Sequence, residues 1–376
     1  MNLNLQELIQ TYIHLIDKKL ELYPEEMLST KILKLLNANL INPEFIIPKG
    51  YGFKVMEIYQ KRNNFNALPL KTPQEFYGNL DSLNLGAFNN EEEIQYITAD
   101  IYTISVILTL NLQTILQSWN LPIPYTNWKL PINKVLQDKI QRDTTVLVDA
   151  YWRTRIYLGY RIITDLQVNI NGNTLGSDVA ITPITPSNTN WSSNTNDPIV
   201  CLMESIELMK QRDYLFRALG FKPKFVMAWN TFMKFFNNSN VREFYKNYDI
   251  SAFENLIQFS NLDINAPINE LAILGKGIEI IIVNDKITNP NTQNLENAIP
   301  DNKVFVFYDI PNNVSIYGMI PPYLDENNKV VIKSGEYELK EIRKPVPMKG
   351  IIELLFISGL SAIVKEPKAF AYFNIT

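Results

Sequence analysis

Residues able to carry out acid–base or nucleophilic chemistry near neutral pH are few in this chain. His14 is the only histidine and Cys201 the only cysteine among 376 residues. His14 lies within an apolar helical pattern, which favours a helix-surface histidine over a member of a Ser/His/Asp triad. Cys201 has apolar neighbours, which favours a buried structural thiol. Because zinc and non-haem iron sites need several His or Cys ligands, we expect no catalytic residue, no metal site and no cofactor.

Two further patterns give little support for catalysis. Gly275-Lys276-Gly277 precedes a strand-like run and opens no helix, so it predicts a turn rather than a phosphate-binding loop. The 39 acidic residues leave a two-carboxylate glycosidase site open, but no pair of them stands apart from the rest. An enzyme therefore remains an unsupported alternative.

The composition is that of a globular protein with an acidic balance. Hydrophobic residues make up 46% of the chain and the net charge is −4, which argues against electrostatic binding to nucleic acid or to a membrane surface. The most apolar windows, 101–116 and 351–364, are shorter than the ~20 residues that span a bilayer. We therefore expect no membrane span, and the N-terminus lacks the pattern of a signal peptide.

Three segments in the first half are unusually extended. Residues 3–22 predict an amphipathic helix, either a surface helix of its own domain or an arm that packs on a neighbouring subunit. Residues 46–112 are rich in β-branched side chains and predict a long two-stranded excursion. Residues 131–167 predict one helix of about 35 residues, polar in its first half and apolar in its second. We expect this long helix to lie across a sheet or another subunit.

Residues 171–197 form a polar, almost uncharged segment whose length predicts a bridging loop. Asp197 is a suitable N-cap and Pro198 a suitable first residue for a helix predicted to run to Gly220. Strands and helices then alternate, which predicts an α+β fold with mostly antiparallel strands. Because such extended parts are costly for a monomer to order alone, they indicate a subunit held by its neighbours.

The order of motifs in the second half resembles the lambda-type major capsid protein family of tailed phages. Trp191 is followed by Asp197-Pro198 and a helix, and the strand FVMAWN, ending in Trp229, is followed by another helix. The Tyr317-Gly318 dipeptide and the closing segment 358–375 come in the family's order. The resemblance covers about half of the chain, and the first 190 residues match by layout only. The 14 glycines are few for this family, and we expect Asn-rich turns in their place.

The resemblance implies a Hong Kong 97-type fold in five parts. These are an N-terminal helical arm at 1–45, an extended loop at 46–126, a peripheral domain with the spine helix and bridging loop at 127–199, an axial domain at 200–345, and a return to the peripheral domain at 346–376.

It also implies a major capsid protein without enzymatic activity, which self-assembles into an icosahedral-type shell of hexamers and pentamers. The implied partners are copies of itself, a portal protein, a scaffold or decoration protein, and double-stranded DNA held non-specifically. No membrane is involved; the implied location is the virion, after assembly in the host cytoplasm. Structural or interface roles are implied for Trp152, Tyr157, Trp191, Asp197, Pro198 and Trp229.

Two points stay open at this level. Trp191 is either an aromatic peg between the spine helix and the axial domain or a loop tryptophan packed in its own core. The alternative functions are an encapsulin-type compartment shell, which a cargo-binding groove formed by the N-terminal helix would favour, and a carbohydrate-active enzyme or tail receptor-binding protein.

Overall fold

The computed structural model describes residues 5–22, 36, 44–46, 54–61, 93–111, 129–212, 223–248, 268–273, 278–325, 327–342 and 351–376. Helices in these residues are α1 (Leu5–Leu22), α2 (Lys129–Val148), α3 (Thr154–Asp165), α4 (Pro198–Arg212), α5 (Trp229–Asn237) and α6 (Ser239–Tyr248). A π-helical turn, Asp149–Arg153, joins α2 to α3, and a 3-10 turn spans Pro367–Ala369.

The first strands are β1 (Glu44–Ile46), β2 (Lys54–Lys61), β3 (Glu93–Asp100), β4 (Tyr102–Asn111), β5 (Gln167–Ile170), β6 (Asn173–Gly176), β7 (Thr182–Pro183), β8 (Pro223–Ala228), β9 (Ile268–Ile273) and β10 (Ile278–Val283). They are followed by β11 (Lys286–Thr288), β12 (Leu295–Asn297), β13 (Lys303–Tyr308), β14 (Val314–Met319), β15 (Tyr323–Leu324), β16 (Val330–Val331), β17 (Tyr337–Ile342), β18 (Ile351–Val364) and β19 (Phe370–Asn374). The predicted α+β class is confirmed. Gly275–Gly277, Gly220 and the middle of the predicted excursion, 62–92, lie outside the described residues.

Helical backbone runs without interruption from Lys129 to Asp165, and we call this the long helix. It begins and ends two residues earlier than predicted. Its second half, α3, is buried on nearly all sides, whereas the described side chains of α2 alternate between buried and exposed. The apolar second half predicted from the sequence is therefore the half that the core surrounds. The π-turn lies where this change occurs.

The described strands include two six-stranded sheets. Sheet 1 is built on β18, which pairs antiparallel with β4 along one edge and with β17 and β14 along the other, while β6 and β5 extend it. Sheet 2 has the strand order β7-β19-β13-β8-β10-β9. Buried side chains of both sheets and of the long helix belong to one continuous hydrophobic core. A separate three-stranded sheet, β1-β2-β3, contains β2 and β3 of the predicted excursion, whereas β4, its last strand, belongs to sheet 1.

The strand pairing crosses the predicted boundary at residue 345. β14 and β17, from the predicted axial part, pair with β18 in sheet 1, whereas β19, from the predicted return to the peripheral part, pairs with β13 in sheet 2. The chain passes between the two sheets twice, after β13 and after β18, and Asn313 joins the two crossings. Its Oδ1 accepts a hydrogen bond from Glu366 N at 2.7 Å, and its carbonyl oxygen accepts one from Lys365 N at 2.9 Å. The wider five-part division stays a prediction.

The sequence predicted a bridging loop over the whole of segment 171–197, but part of this segment forms strands. Asn171 and Gly172 have φ of 49° and 86° and form the tight turn between β5 and β6. β6 lies in sheet 1 and β7 in sheet 2, so the segment links the two sheets. The helical run expected after the FVMAWN strand is also divided: Trp229 opens α5 instead of ending β8, and Asn238, with ψ of 133°, separates α5 from α6.

The N-terminal helix packs against the long helix of its own chain. Tyr12, Ile16 and Leu20 are fully buried, and the Tyr12 hydroxyl donates a hydrogen bond to Asp143 Oδ2. Lys139 Nζ lies 2.8 Å from the other carboxylate oxygen. Burial, and then the hydrogen bond to Asp143, raises the pKa of Tyr12 well above its ordinary value, so the hydroxyl remains a donor. The apolar face of this helix is thus covered within its own chain, and its role as an N-terminal arm on a neighbouring subunit stays a prediction. No helix in the described part of the chain is long and apolar enough to cross a membrane.

We predict that Tyr12→Phe lowers the free energy of unfolding by about 1–2 kcal/mol, because the buried Asp143 loses one of its two partners. Denaturant unfolding measures the effect. His14→Ala is the matched control, since His14 is exposed on the same helix, and should change stability by less than about 0.5 kcal/mol. Equal stability of the Tyr12 variant and the wild type would contradict the proposed contribution of this contact.

Candidate functional site

The described side chains form no cluster of three or more His, Cys, Asp or Glu that could hold a metal ion. His14 is exposed on α1, and Cys201 is fully buried in α4, where burial raises the pKa of its thiol to about 12. Besides the Tyr12–Asp143 contact, buried polar groups come together where the long helix, the sheets and the bridging segment meet. We describe two such places: the helix–sheet junction (Tyr151, Arg155 and Glu336) and the bridge junction (Trp191 and Asn238).

The helix–sheet junction joins the long helix to the residue just before β17. Arg155 is buried in α3, with a side chain 3% exposed, and its Nη1 lies 3.1 Å from Glu336 Oε2. The Tyr151 hydroxyl, from the π-turn, donates a hydrogen bond to the same carboxylate oxygen at 2.8 Å. Ser358 of β18 donates a hydrogen bond to the Glu336 carbonyl at 2.7 Å. Glu336 therefore ties the long helix, through its carboxylate, to the start of β17, and its backbone carbonyl adds the link to β18.

Burial and neighbouring charges keep the Tyr151 phenol of this junction protonated. Burial raises the pKa of the Tyr151 phenol well above its ordinary value; the charge of Arg155 opposes this shift and Glu336 adds to it. The tyrosine therefore stays a hydrogen-bond donor. Gly318 in β14 leaves the necessary space, because a Cβ at this position would come within 2.5 Å of the Tyr151 hydroxyl oxygen.

The two predicted residues on the long helix, Trp152 and Tyr157, are both buried. The Trp152 ring contacts Tyr151 edge-on at 4.9 Å between centroids, and the Arg155 guanidinium lies 4.9 Å above the Trp152 ring. Arg161 lies 5.3 Å above the Tyr157 ring. Within this chain both residues serve its own core; an interface role for them stays a prediction.

The bridge junction is centred on the Asn238 side chain at the break between α5 and α6. Its Nδ2 lies within hydrogen-bond distance of three carbonyl oxygens of the bridging segment, those of Trp191, Ser193 and Asn196, at 3.1–3.2 Å. Its Oδ1 accepts a hydrogen bond from Asn240 N at 3.0 Å. A single amide thus fixes the course of residues 191–196 against α5 and α6.

Trp191 is 1% exposed and packs between two elements of the second half. Its ring contacts Phe235 of α5 and Phe373 of β19 edge-on, at 5.7 and 6.2 Å between centroids. The bridging segment that carries Trp191 also links sheet 1 to sheet 2. The geometry therefore agrees with a tryptophan packed in its own chain's core at the end of the bridge.

The remaining predicted residues determine how α4 and α5 begin. Asp197 Oδ1 accepts a hydrogen bond from Ile199 N at 2.8 Å, and Pro198 is the first residue of α4, so the predicted N-cap is present. The Trp229 ring lies 6.0 Å from the Phe232 ring one turn later in α5. The structure thus gathers Trp191, Asp197 and Pro198 near Asn238, and places Trp152 and Tyr157 elsewhere, on the long helix.

Sequence reasoning missed the polar residues of both junctions. Arg155 and Glu336 are 181 residues apart, and no local pattern pairs them. For Asn238 a signal existed, because an Asn-Asn-Ser-Asn run within a helical pattern favours a helix break.

No protein-family model and no curated protein matches this chain. Among solved structures it is similar to the capsid of Myoviridae phage XM1, at 8% identity over 92% of each chain with a TM-score of 0.44. It is also similar to a putative capsid protein of a prophage of E. coli CFT073, at 12% identity over 75% of this chain and 80% of that one, with a TM-score of 0.43. A virus-like particle from Pyrococcus furiosus is similar at 11% identity over 74% of this chain and 79% of its own, with a TM-score of 0.30. At such low identity, the residues of this chain must carry the functional conclusion.

We predict that Asn238→Asp lowers the free energy of unfolding by about 3 kcal/mol. The carboxylate keeps the shape of the amide but loses both N–H donors and faces carbonyl oxygens in a buried position. Asn237→Asp is the matched control, since this neighbouring residue is exposed, and should change stability by less than about 0.5 kcal/mol. Chemical denaturation of both variants measures the difference. Equal effects would show that the hydrogen bonds of the Asn238 amide do not stabilise the fold.

Glu336→Gln should destabilise the subunit by about 1–3 kcal/mol, because the buried Arg155 charge loses its opposite charge. The matched control is Glu338→Gln, whose partner Lys333 lies at the surface, and its loss should be less than about 1 kcal/mol. A second arm replaces Arg155 with Met in both backgrounds. If the two residues are coupled, the double variant loses less stability than the sum of the single variants, whereas additive losses would refute the coupling.

Proposed function

We propose that this chain is a major capsid protein, a subunit that assembles with copies of itself into a closed, icosahedral-type shell of hexamers and pentamers around phage double-stranded DNA. The observation that carries the proposal is the order and placement of the elements. An N-terminal helix, a strand excursion, a long helix on a sheet, and a bridge to a second sheet follow one another as the sequence resemblance implies.

The excursion supports self-assembly on physical grounds. β1, β2 and β3 form a small sheet distinct from sheets 1 and 2, and β3 leads directly into β4 of sheet 1. A small sheet that leaves the main core gains little burial of its own. Contact with neighbouring copies supplies the missing burial, and many modest contacts in a closed lattice make the shell stable.

The proposal assigns the chain no reaction. A net charge of −4 suits a shell that encloses DNA without binding it tightly. Its proposed partners are copies of itself, a portal protein and a scaffold or decoration protein, and its proposed location is the virion, after assembly in the host cytoplasm.

One observation bears on the compartment-shell alternative. A cargo-binding groove formed by the N-terminal helix would need its apolar face to be accessible. Tyr12, Ile16 and Leu20 are instead buried. This favours a capsid over a compartment among the two kinds of shell.

Purified wild-type protein, examined by negative-stain electron microscopy and light scattering, should form shells or capsomer rings. Particles recovered from producing cells should contain nuclease-protected double-stranded DNA, and particles filled with a protein cargo instead would indicate the compartment. A compact monomer at every concentration and salt condition tested would refute the proposal, and cleavage of a glycan by that monomer would establish the enzyme alternative.

A further inference from the structure

Exposed large apolar side chains are concentrated in one hairpin of the described structure. Tyr323, Leu324, Val330 and Ile332 are 37%, 56%, 40% and 58% exposed and lie within ten residues of one another. The other exposed side chains of this kind are spread along the chain: Ile107, Val146, Val179, Val200 and Leu295. Single exposed apolar residues are ordinary on protein surfaces, but a group of them marks an interaction surface.

The strand register shows how the hairpin presents these side chains. β15 and β16 are antiparallel, with Leu324 directly opposite Val330 and Tyr323 opposite Val331. Directly opposite residues point to the same face, so Leu324 and Val330 share one face. Ile332, also exposed, follows two residues after Val330, just beyond the end of β16. We call Leu324, Val330 and Ile332 the hairpin patch.

Asp325 holds the described residues of the hairpin turn through hydrogen bonds. Asp325 Oδ1 accepts hydrogen bonds from the backbone N–H groups of Asn327 and Lys329, both at 2.8 Å, and Asn328 adopts a φ of 58°. The patch is therefore held in a defined shape. A two-stranded hairpin is marginal in water unless another surface covers its apolar face, which indicates that the patch is covered in the functional state.

The charges around the patch suit a copy of the same surface. Residues 323–333 contain two acidic and two basic side chains, Asp325, Glu326, Lys329 and Lys333, so they carry no net charge. Lys333 Nζ also lies 2.5 Å from Glu338 Oε1 of the same chain. Because acidic and basic side chains both flank the patch, opposite charges of two copies can face each other around two apolar faces.

We propose that the hairpin patch packs against the hairpin patch of a second copy of this chain. The proposal rests on the proposed function, because an icosahedral-type shell of identical subunits has two-fold axes, and across such an axis a surface meets the same surface of a neighbouring copy. It adds the residues through which one of these contacts is made.

Cysteine cross-linking tests the contact directly. Cys201 is fully buried, so the wild-type protein provides a low background. Leu324→Cys particles, oxidised and run on a non-reducing denaturing gel, should yield covalently linked subunits. The matched control is Leu295→Cys, because Leu295 is 64% exposed and also lies on a two-stranded hairpin, β11–β12. Cross-linking of Leu324→Cys no greater than that of the control would overturn the proposal, as would cross-linking to a different protein in particles from producing cells.

A charge variant tests the energetic contribution of the patch. Leu324→Lys should raise the subunit concentration needed for assembly by roughly tenfold or more, because two like charges would meet in an apolar contact. Leu295→Lys should assemble like the wild type. Thermal unfolding of the unassembled subunits should be the same for both variants, since both leucines are exposed. Assembly of Leu324→Lys at the wild-type concentration would overturn the proposal.

The wild type separates the two levels of failure. If it does not assemble under any condition, the proposed function fails and the patch contact fails with it. If it assembles, while Leu324→Lys assembles equally well and Leu324→Cys does not cross-link, the patch contact alone is refuted.

Discussion

Arg155 carries its charge inside the protein, where an unpaired guanidinium would cost several kcal/mol. Its opposite charge comes from Glu336, which reaches it only when β17 and β18 are paired beside the long helix. The helix and sheet 1 therefore form together, with a single relative placement. The aromatic contacts of Tyr151 with Trp152 and Phe356 fill the space around this pair.

Neutral amide side chains, rather than an ion pair, stabilise the connections between the two sheets. Asn313 holds the double crossing between the sheets, and Asn238 holds the end of the bridging segment. An amide both donates and accepts, so it can satisfy backbone groups of a passing chain without the desolvation cost of a charge. Asparagine also replaces glycine at left-handed turn positions, as the sequence predicted: Asn171, Asn188, Asn302, Asn312 and Asn328.

Local chemistry explains which features could be predicted from the sequence. The long helix contains no proline after Pro131, in its first turn, and the Asp197-Pro198 start has its N-cap within two residues, so both were visible in the sequence. The Arg155–Glu336 pair and the place of β19 were not, because each depends on partners that only the folded chain brings close. The Asn171-Gly172 pair favours a hairpin turn, but the prediction of a polar bridging loop did not include this turn.

The π-turn at Asp149–Arg153 accommodates one residue more than regular α-helical turns would over the same length. It therefore marks a place where the chain could lose a residue and still leave both ends of the helix facing as they do. A deletion of one residue within α2, where the helix is regular, would instead rotate one end of the helix relative to the other by about 100°. Within the long helix, the loss of one residue is therefore better tolerated at this turn than in the middle of α2.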